Sequence, residues 1–202
     1  MPLPFVEPAT PVLRSAPPSG NHWLHEVKFD GRRIQLHKHG RLVDIYTKGG
    51  HRCAHKLELI AAALTHLPVR SCIIDGELTA CDEYGLPNFH ELHFHNGRTE
   101  RCVWAFDLLY LDGIDLREDP LSYRKRRLEK LVLKVRDGWL RYCESFTDGA
   151  RLLASAEKMG LEGVVSKRLD APYRSGTKCG WVKSKTQARR EANKERWRLF
   201  ER

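Results

Sequence analysis

The stretch WLHEVKFDGRRIQLHKHGRLVDIYT (residues 23–47) decides the fold, because apolar and polar residues alternate in three short runs. Successive residues of a strand point to opposite faces of a sheet, so each run predicts a half-buried strand. The predicted strands span 23–29, 33–38 and 41–47. An Asp-Gly pair and a His-Gly pair separate them, which predicts antiparallel neighbours, with the second and third strands joined as a hairpin.

Outward from this stretch, strands and helices follow one another in no regular alternation. Alternating or continuously apolar runs predict further strands over 71–80, 102–113, 162–168 and 180–185. Apolar residues at helical spacing predict helices over 56–67, 122–135 and 150–160. This irregular order favours an α+β fold, with antiparallel sheets flanked by helices, over a doubly wound parallel sheet.

Composition and charge narrow the class of protein. The 202 residues are 41% hydrophobic, and 35 Lys and Arg against 26 Asp and Glu leave a net charge of +9. This excess favours a polyanionic partner, nucleic acid before an anionic membrane. No run approaches the roughly 18 apolar residues of a membrane span, and the first residues do not resemble a secretory signal. The scattered cysteines, without a CxxC pair, predict reduced thiols in the cytoplasm.

The two ends of the chain differ from its middle. Residues 1–20 are rich in proline and predict an extended arm, whereas 21–186 form the predicted domain. Residues 187–202 form a basic tail that is predicted to be helical. We interpret the tail either as a solvated helix packed on the domain or as a grip on nucleic-acid phosphates.

Two polar clusters are predicted to lie at the surface. The basic run Arg124–Arg127 opens the helix predicted over 122–135, where positive charge opposes the helix dipole. We interpret it as a solvated helix end, with a nucleic-acid contact as the alternative. A histidine cluster is also interpreted as a surface feature, since its spacing fits no common zinc site. It contains His90, His93 and His95.

Charged residues recur where the pattern predicts core strands. Lys28 shares one strand face with Glu26 and Asp30, and a glycine and two arginines follow. Each later feature alone has a structural interpretation as a turn, a core residue or a solvated face. Two lysines on one strand face, however, repel one another unless an anion lies between them. These later positions are Glu77, Phe106, Glu162, Lys167, Lys183 and Lys185.

Taken in order, these segments resemble the nucleotidyltransferase motifs of the covalent lysyl-nucleotide superfamily, which includes ATP-dependent DNA ligases, RNA ligases and mRNA capping enzymes. KFDGRR (28–33) matches the nucleophile motif K-x-D-G-x-R of that superfamily. The later motifs match at DGE (75–77), FD (106–107), EGVV (162–165) with Lys167, and WVKSK (181–185). The chain is most similar to the ligase domains of bacterial end-joining enzymes of the ligase D type. The resemblance implies an ATP-grasp-like adenylation domain.

The resemblance also implies a role for each matched residue. Lys28 is the nucleophile that accepts AMP, and its amine must lose its proton before it attacks the α-phosphate of ATP. Lys183 and Lys185, expected on a facing strand, neutralise phosphate charge in the transition state. The residues expected to hold the nucleotide are Glu26, Arg33, Glu77, Phe106 and Lys167. Those expected to hold Mg²⁺ or Mn²⁺ are Glu77 and Glu162. Those expected to contact DNA are Arg33, Lys48, Arg189 and Arg190.

The chain departs from the family pattern in two places. Where the family has T-R-N-G, residues 47–50 are TKGG, and the lysine lacks the bidentate fork of an arginine. Only 17 residues follow Lys185, too few for the OB-fold domain with which such ligases continue. We therefore expect no OB-fold domain in this sequence. The candidate protein partners are a separate OB-fold protein, a Ku-like end-joining protein and a polymerase.

The function implied is that of a minimal ATP-dependent DNA ligase acting in repair or end joining. It would seal breaks between a 5′-phosphate and a 3′-hydroxyl in nicked or broken double-stranded DNA through a lysyl-AMP intermediate. We expect it in the bacterial cytoplasm, associated with the nucleoid and not with a membrane. Two alternatives remain open: an RNA ligase or another lysyl-nucleotide transferase, and a catalytically impaired, DNA-binding ligase-like subunit.

Overall fold

The computed structural model describes residues 3–80, 101–135 and 138–200, with side chains as far as residue 193. Its strands are β1 (Val12–Leu13), β2 (Trp23–Lys28), β3 (Arg32–His39), β4 (Leu42–Thr47), β5 (Ser71–Ala80), β6 (Arg101–Leu111), β7 (Ile114–Asp115), β8 (Leu140–Tyr142), β9 (Ser145–Phe146), β10 (Gly163–Arg168) and β11 (Val182–Lys185). Its α-helices are α1 (Glu58–Thr65), α2 (Leu121–Val132), α3 (Gly149–Lys158) and α4 (Gln187–Phe200). The predicted α+β fold is confirmed.

The strands form two sheets. One has the order β1-β11-β10-β2-β9, and the other has the order β4-β3-β5-β6-β7, with β8 beside β6. Neighbouring strands are antiparallel except for the pairs β1–β11 and β6–β8, which are parallel. The predicted hairpin is β3–β4, in which Ile34 lies opposite Thr47.

Two apolar clusters hold these sheets in place. The larger cluster packs the second sheet against α1 and α2, through residues such as Leu36, Leu64, Leu108 and Leu128. The smaller cluster joins the two sheets, because it combines side chains of β5 and β6 with aromatic residues next to the first sheet. Of these aromatic residues, Tyr173 and Trp181, the second lines the cleft described below.

The N-terminal segment packs against the domain along part of its length. Val6 and Ala9 are buried in the smaller cluster, and β1 pairs with β11. The backbone N–H of Thr10 donates a hydrogen bond to the carbonyl of Gly176. The segment therefore forms an edge strand of the first sheet.

Strands and helices predicted from the sequence are present with ends that differ by a few residues. The short strands β1, β7, β8 and β9 were not predicted, because two or three residues carry no detectable alternation. The histidine cluster of the β5–β6 connection lies outside the described residues. None of the five described cysteines forms a disulfide. No helix in the described ranges has the length and apolar character needed to cross a membrane.

The interpretation of the basic run Arg124–Arg127 as a solvated helix end is wrong for its first two residues. The exposed fractions of Arg124 and Lys125 are 0% and 4%. Both side chains find carboxylate partners on other elements, Asp107 of β6 for Arg124 and Glu26 of β2 for Lys125. Local sequence cannot reveal such partners, because they are far away along the chain.

Candidate active site

A cleft opens between the two sheets, and residues from several distant segments line it. Strands β2 and β10 form one wall, while β3, β5 and β6 form the other. The lining residues are Pro11, Glu26, Val27, Lys28, Phe29, Arg33, Glu77, Phe106, Val165, Lys167 and Trp181. Six of the predicted site residues therefore line one cleft. Their shared location makes it the candidate active site.

Strand register brings three predicted residues together around Gly163. Gly163 lies opposite Lys28 on one side and opposite Lys185 on the other. The carboxylate of Glu162 bridges the two amines, 2.5 Å from Nζ of Lys28 and 3.0 Å from Nζ of Lys185. A Cβ at position 163 would lie 2.2 Å from the carbonyl oxygen of Ser184 and φ is +152°, so glycine is required there.

The expectation that Lys183 and Lys185 lie on a facing strand is wrong. Strand β11 belongs to the same sheet as β2, with β10 between them. Lys185 lies in the row of Gly163 and Lys28, and Lys183 lies in the row of Val165 and Glu26, so both lysines lie beside β2 in one sheet and not across the cleft from it.

Four lysines converge at this end of the cleft. Burial lowers the pKa of Lys183, and the positive charges of Lys28 and Lys185 lower it further. Glu162 opposes this shift, while Lys48 of the turn after β4 adds to it. Burial would raise the pKa of Glu162, but Lys28 and Lys185 outweigh burial and hold it below its ordinary value. Such an excess of positive charge suits a phosphate chain.

Arg33 is fixed in the opposite wall by a buried carboxylate. Its Nε and one terminal nitrogen each donate to Asp75, at 2.7 Å. The hydroxyl of Tyr173 also donates to Asp75, at 2.7 Å, and the guanidinium carbon of Arg33 lies 4.6 Å from the ring centre of Phe106. The guanidinium therefore borders the cleft in a fixed orientation. Sequence reasoning missed Asp75 and Tyr173 as its supports.

The carboxyl group of Glu77 is the titratable acid of the cleft. Burial raises the pKa of Glu77 to about 7, although Arg33 and Lys28 oppose the shift. Asp75 and Glu162 reinforce it. Near neutral pH the side chain therefore exchanges between a protonated form and a carboxylate that can bind a cation or a ribose hydroxyl.

We expect Glu77→Gln to stabilise the folded chain at pH 8 and to leave its stability nearly unchanged at pH 4. The folded state holds a proton on Glu77 that the unfolded state loses above about pH 4.5, so stability falls as the pH rises through about 7. The difference in free energy of unfolding should reach roughly 2 kcal/mol after solvent screening. Urea unfolding at several pH values measures it, with exposed Glu58→Gln as the control. A difference independent of pH would contradict the assignment.

The far end of the cleft contains a buried carboxylate between two amines. Lys125 of α2 and Lys167 of β10 each lie 2.6 Å from one carboxylate oxygen of Glu26. Nζ of Lys167 also lies 4.4 Å from the ring centre of Phe106 and 4.1 Å from that of Trp181. Aromatic rings and a fixed carboxylate at one end suit a nucleobase.

Sequence reasoning missed the role of Lys125, although a signal was present. Residues 121, 124, 125, 128, 131 and 132 form the buried face of α2. Lys125 and Arg124 are charged residues on the apolar stripe of that helix. A charge on such a stripe requires a buried partner, and this requirement could have marked both residues.

Glu77 and Glu162 could hold a divalent cation only if other groups, such as the phosphates of a nucleotide, complete its coordination shell. Within the part of the chain that the structure describes, no group of three or more His, Cys, Asp and Glu side chains could hold a metal ion. The charge of Lys28 lowers the pKa of both carboxylates, which indicates that they lie at the same end of the cleft. Mg²⁺ commonly takes one or two carboxylates and completes its shell with phosphate oxygens and water. The donor set therefore fits Mg²⁺ bound with a nucleotide.

A basic groove adjoins the cleft at Arg33, which lines both cavities. The groove contains Lys48, the residue that replaces the arginine of the family motif. Its other basic lining residues are Arg32, His51, Arg52, Lys56 and Arg101. The groove has the charge expected of a surface that follows a nucleic-acid backbone.

The two predicted DNA-binding arginines of the tail make contacts within the protein. Arg189 of α4 forms an ion pair with Asp30 of the nucleophile motif at 2.7 Å. Arg190 donates to the backbone carbonyls of Lys185, at 2.8 Å, and Ser15, at 2.5 Å. Glu157 accepts hydrogen bonds from the first backbone N–H groups of α4. Helix α4 is therefore packed on the domain beside the cleft.

Comparisons with known proteins agree with this geometry. A family model described as the ATP dependent DNA ligase domain matches residues 14–185. The multifunctional non-homologous end joining protein LigD of Pseudomonas aeruginosa is 38% identical over 195 residues, which cover 94% of this chain and 23% of that protein. The chain thus spans about a quarter of the length of this curated relative.

Two solved structures are similar to the fold. A mycobacterial DNA ligase D complexed with ATP and MES has a TM-score of 0.76 and 30% identity, covering 88% of this chain and 59% of that one. The ligase domain of Mycobacterium tuberculosis LigD has a TM-score of 0.77 and 30% identity, covering 88% and 60%. The chain belongs to the ATP-dependent DNA ligase domain family, and its ligase domain is of the LigD type.

Proposed function

We propose that the chain forms a lysyl-AMP intermediate on Lys28 and uses it to seal breaks in double-stranded DNA. The observation that carries the proposal is the contact of Lys28 with Glu162 beside Lys185, at the end of a cleft whose other end has aromatic walls. This arrangement suits a nucleotide whose base lies near Phe106 and whose phosphates lie among the lysines.

The first step transfers AMP to the protein. The uncharged amine of Lys28 attacks the α-phosphorus of ATP, an N–P bond forms, and the bond to the β-phosphate oxygen breaks with release of pyrophosphate. Glu162 lies within hydrogen-bond distance of Nζ and orients the amine, and the proton that the nitrogen loses as the N–P bond forms passes to the departing pyrophosphate. Lys183 and Lys185 balance the charge of the departing pyrophosphate.

The next two steps use DNA. A 5′-phosphate oxygen attacks the phosphorus of lysyl-AMP, and the N–P bond breaks to give a pyrophosphate-linked adenylylated end. The 3′-hydroxyl then attacks the 5′-phosphorus, so a phosphodiester forms and AMP leaves. We propose that the basic groove containing Lys48 contacts the phosphates of this DNA. Arg189 and Arg190 already make contacts within the protein, so the groove is better supported as the DNA-binding surface than the C-terminal helix.

A divalent cation, Mg²⁺ or Mn²⁺, would be held by Glu77 and Glu162 together with nucleotide phosphates. It would neutralise phosphate charge while the α-phosphorus is attacked. Glu77 must be ionised to act as a ligand, and burial raises its pKa to about 7 in the protein without a cation.

The biological setting proposed is DNA repair, with end joining as its most specific form. The LigD relatives of Pseudomonas aeruginosa and Mycobacterium tuberculosis are named for non-homologous end joining. Nicked or broken double-stranded DNA in the bacterial cytoplasm is the proposed substrate. A Ku-like protein, a polymerase or an OB-fold protein is the proposed class of partner.

A pulse-chase experiment tests this function. The 202-residue chain is incubated with ATP labelled at the α-phosphate and Mg²⁺, freed of ATP, and then given nicked DNA or a nick that contains RNA. We expect covalent labelling, followed by loss of label when the DNA nick is sealed. A parallel assay with a preadenylylated nick isolates the last step.

The outcomes of this experiment distinguish the alternatives. Sealing confined to RNA-containing nicks would assign an RNA ligase instead. Binding of DNA without labelling and without sealing of the preadenylylated nick would assign an inactive ligase-like subunit.

A further inference from the structure

Lys125 is fixed next to the cleft but does not line it. Its ammonium donates to Glu26 at 2.6 Å and to the backbone carbonyl of Cys143 at 2.6 Å. It also lies 4.2 Å from the ring centre of Tyr142. Helix α2, from which it extends, contributes none of the residues that line the cleft. Three contacts therefore hold Lys125 at the back of Glu26.

Lys167 approaches the same carboxylate from the opposite side. It lines the cleft, and its ammonium lies over the rings of Phe106 and Trp181. Of the two lysines that contact Glu26, Lys167 lines the cleft and Lys125 does not. Lys125 is thus the partner of Glu26 outside the cleft, whereas Lys167 is its partner on the cleft side.

The charge of Glu26 determines which base can pair with it. An ionised carboxylate only accepts hydrogen bonds, whereas a protonated one also donates. An acceptor suits the 6-amino group of adenine and opposes the 6-oxo group of hypoxanthine or guanine, because two acceptors then face one another.

We propose that Lys125 is a positioning residue that holds the carboxylate of Glu26 in place as a hydrogen-bond acceptor and thereby gives the cleft its preference for a 6-amino purine over a 6-oxo purine. This inference rests on the proposed function only in that a nucleotide base occupies the cleft end between Glu26 and Phe106. The chemistry of Lys28 is not part of it.

Calorimetric binding of ATP and of inosine triphosphate, without a divalent cation, tests the proposal. We expect wild-type protein to bind ATP at least about tenfold more tightly than inosine triphosphate, because a site that pairs with a polar group of its substrate rejects an analogue that lacks this group. Lys125→Met should reduce this ratio at least about fivefold, and Lys125→Arg should restore most of it. Lys130→Met, an exposed position on the same helix, serves as the control. An unchanged ratio in Lys125→Met would overturn the proposal.

A second pair of variants keeps the test decisive if Lys125→Met does not fold. Glu26→Gln removes the charge that Lys125 neutralises, so the ratio of its affinities for ATP and inosine triphosphate should fall towards one. Adding Lys125→Met to Glu26→Gln should change the ratio no further, because Lys125 acts only through Glu26. A further drop in the double variant would contradict the proposal. Failure of wild-type protein to bind either nucleotide would instead refute the proposed function.

Discussion

Lys28→Ala should reduce covalent labelling by ATP more than about a thousandfold relative to wild type, because no other amine can take the place of the nucleophile. The contact of Lys28 with Glu162 at 2.5 Å and the row shared with Lys185 hold that amine at the phosphate end of the cleft. The measurement is the fraction of protein labelled at saturating α-labelled ATP.

Two further variants separate chemistry from binding at this position. Lys28→Arg keeps the positive charge but carries a guanidinium that does not lose its proton, so it should bind ATP and remain unlabelled. Lys158→Ala, at an exposed position on α3, should label as the wild type does. Equal labelling of Lys28→Ala and wild-type protein would refute the assignment of the nucleophile.

Arg124→Met should destabilise the fold by about 3–5 kcal/mol, the usual loss when one partner of a buried ion pair is removed. Arg124 and Asp107 are both fully buried, and their paired atoms lie 2.8 and 2.9 Å apart. Arg124 also donates to the backbone carbonyls of Asp119 and Ala171. Its loss leaves a buried carboxylate without its cation, and two carbonyls without this donor. The free energy of unfolding in urea measures the effect.

Matched variants identify the ion pair as the cause. Arg126→Met, two residues along the same helix and exposed, should change stability by less than about 0.5 kcal/mol. Arg124→Met combined with Asp107→Asn should cost less than the sum of the single changes, because the second change removes the unpaired charge. A loss below about 1 kcal/mol for Arg124→Met would show that the buried pair is not a main support of the fold.

The strands and helices could be predicted because their apolar spacing is local. The run over 23–47 contains three strands whose ends the structure shifts by a few residues, and the stripe of α2 is present as predicted. The roles of Lys28, Glu77, Glu162 and the lysines of β11 came from motif order and stay predictions. The structure adds that Glu162 contacts both Lys28 and Lys185, and that the two lysines lie in one row of a sheet on either side of Gly163.

The supports of the site could not be predicted in the same way. Asp75 holds Arg33, Tyr173 holds Asp75, and Lys125 holds Glu26, and in each pair the residues are far apart along the chain. Their pairing depends on how two sheets and a helix pack, which spacing within one segment does not encode. The strand order that separates β2 from β11 is unpredictable for the same reason.

The parallel pairing of Val12 with Val182 has a consequence for the order of folding. Strand β11 carries Lys183 and pairs with β1, which lies far before it along the chain, so this pair cannot form its hydrogen bonds until the whole segment between the two strands has been synthesised. Contacts this distant along the chain form slowly, because a long loop must close before they gain any stability. We infer that the phosphate end of the cleft is assembled last, after the hairpin β3–β4 and the larger apolar cluster have formed.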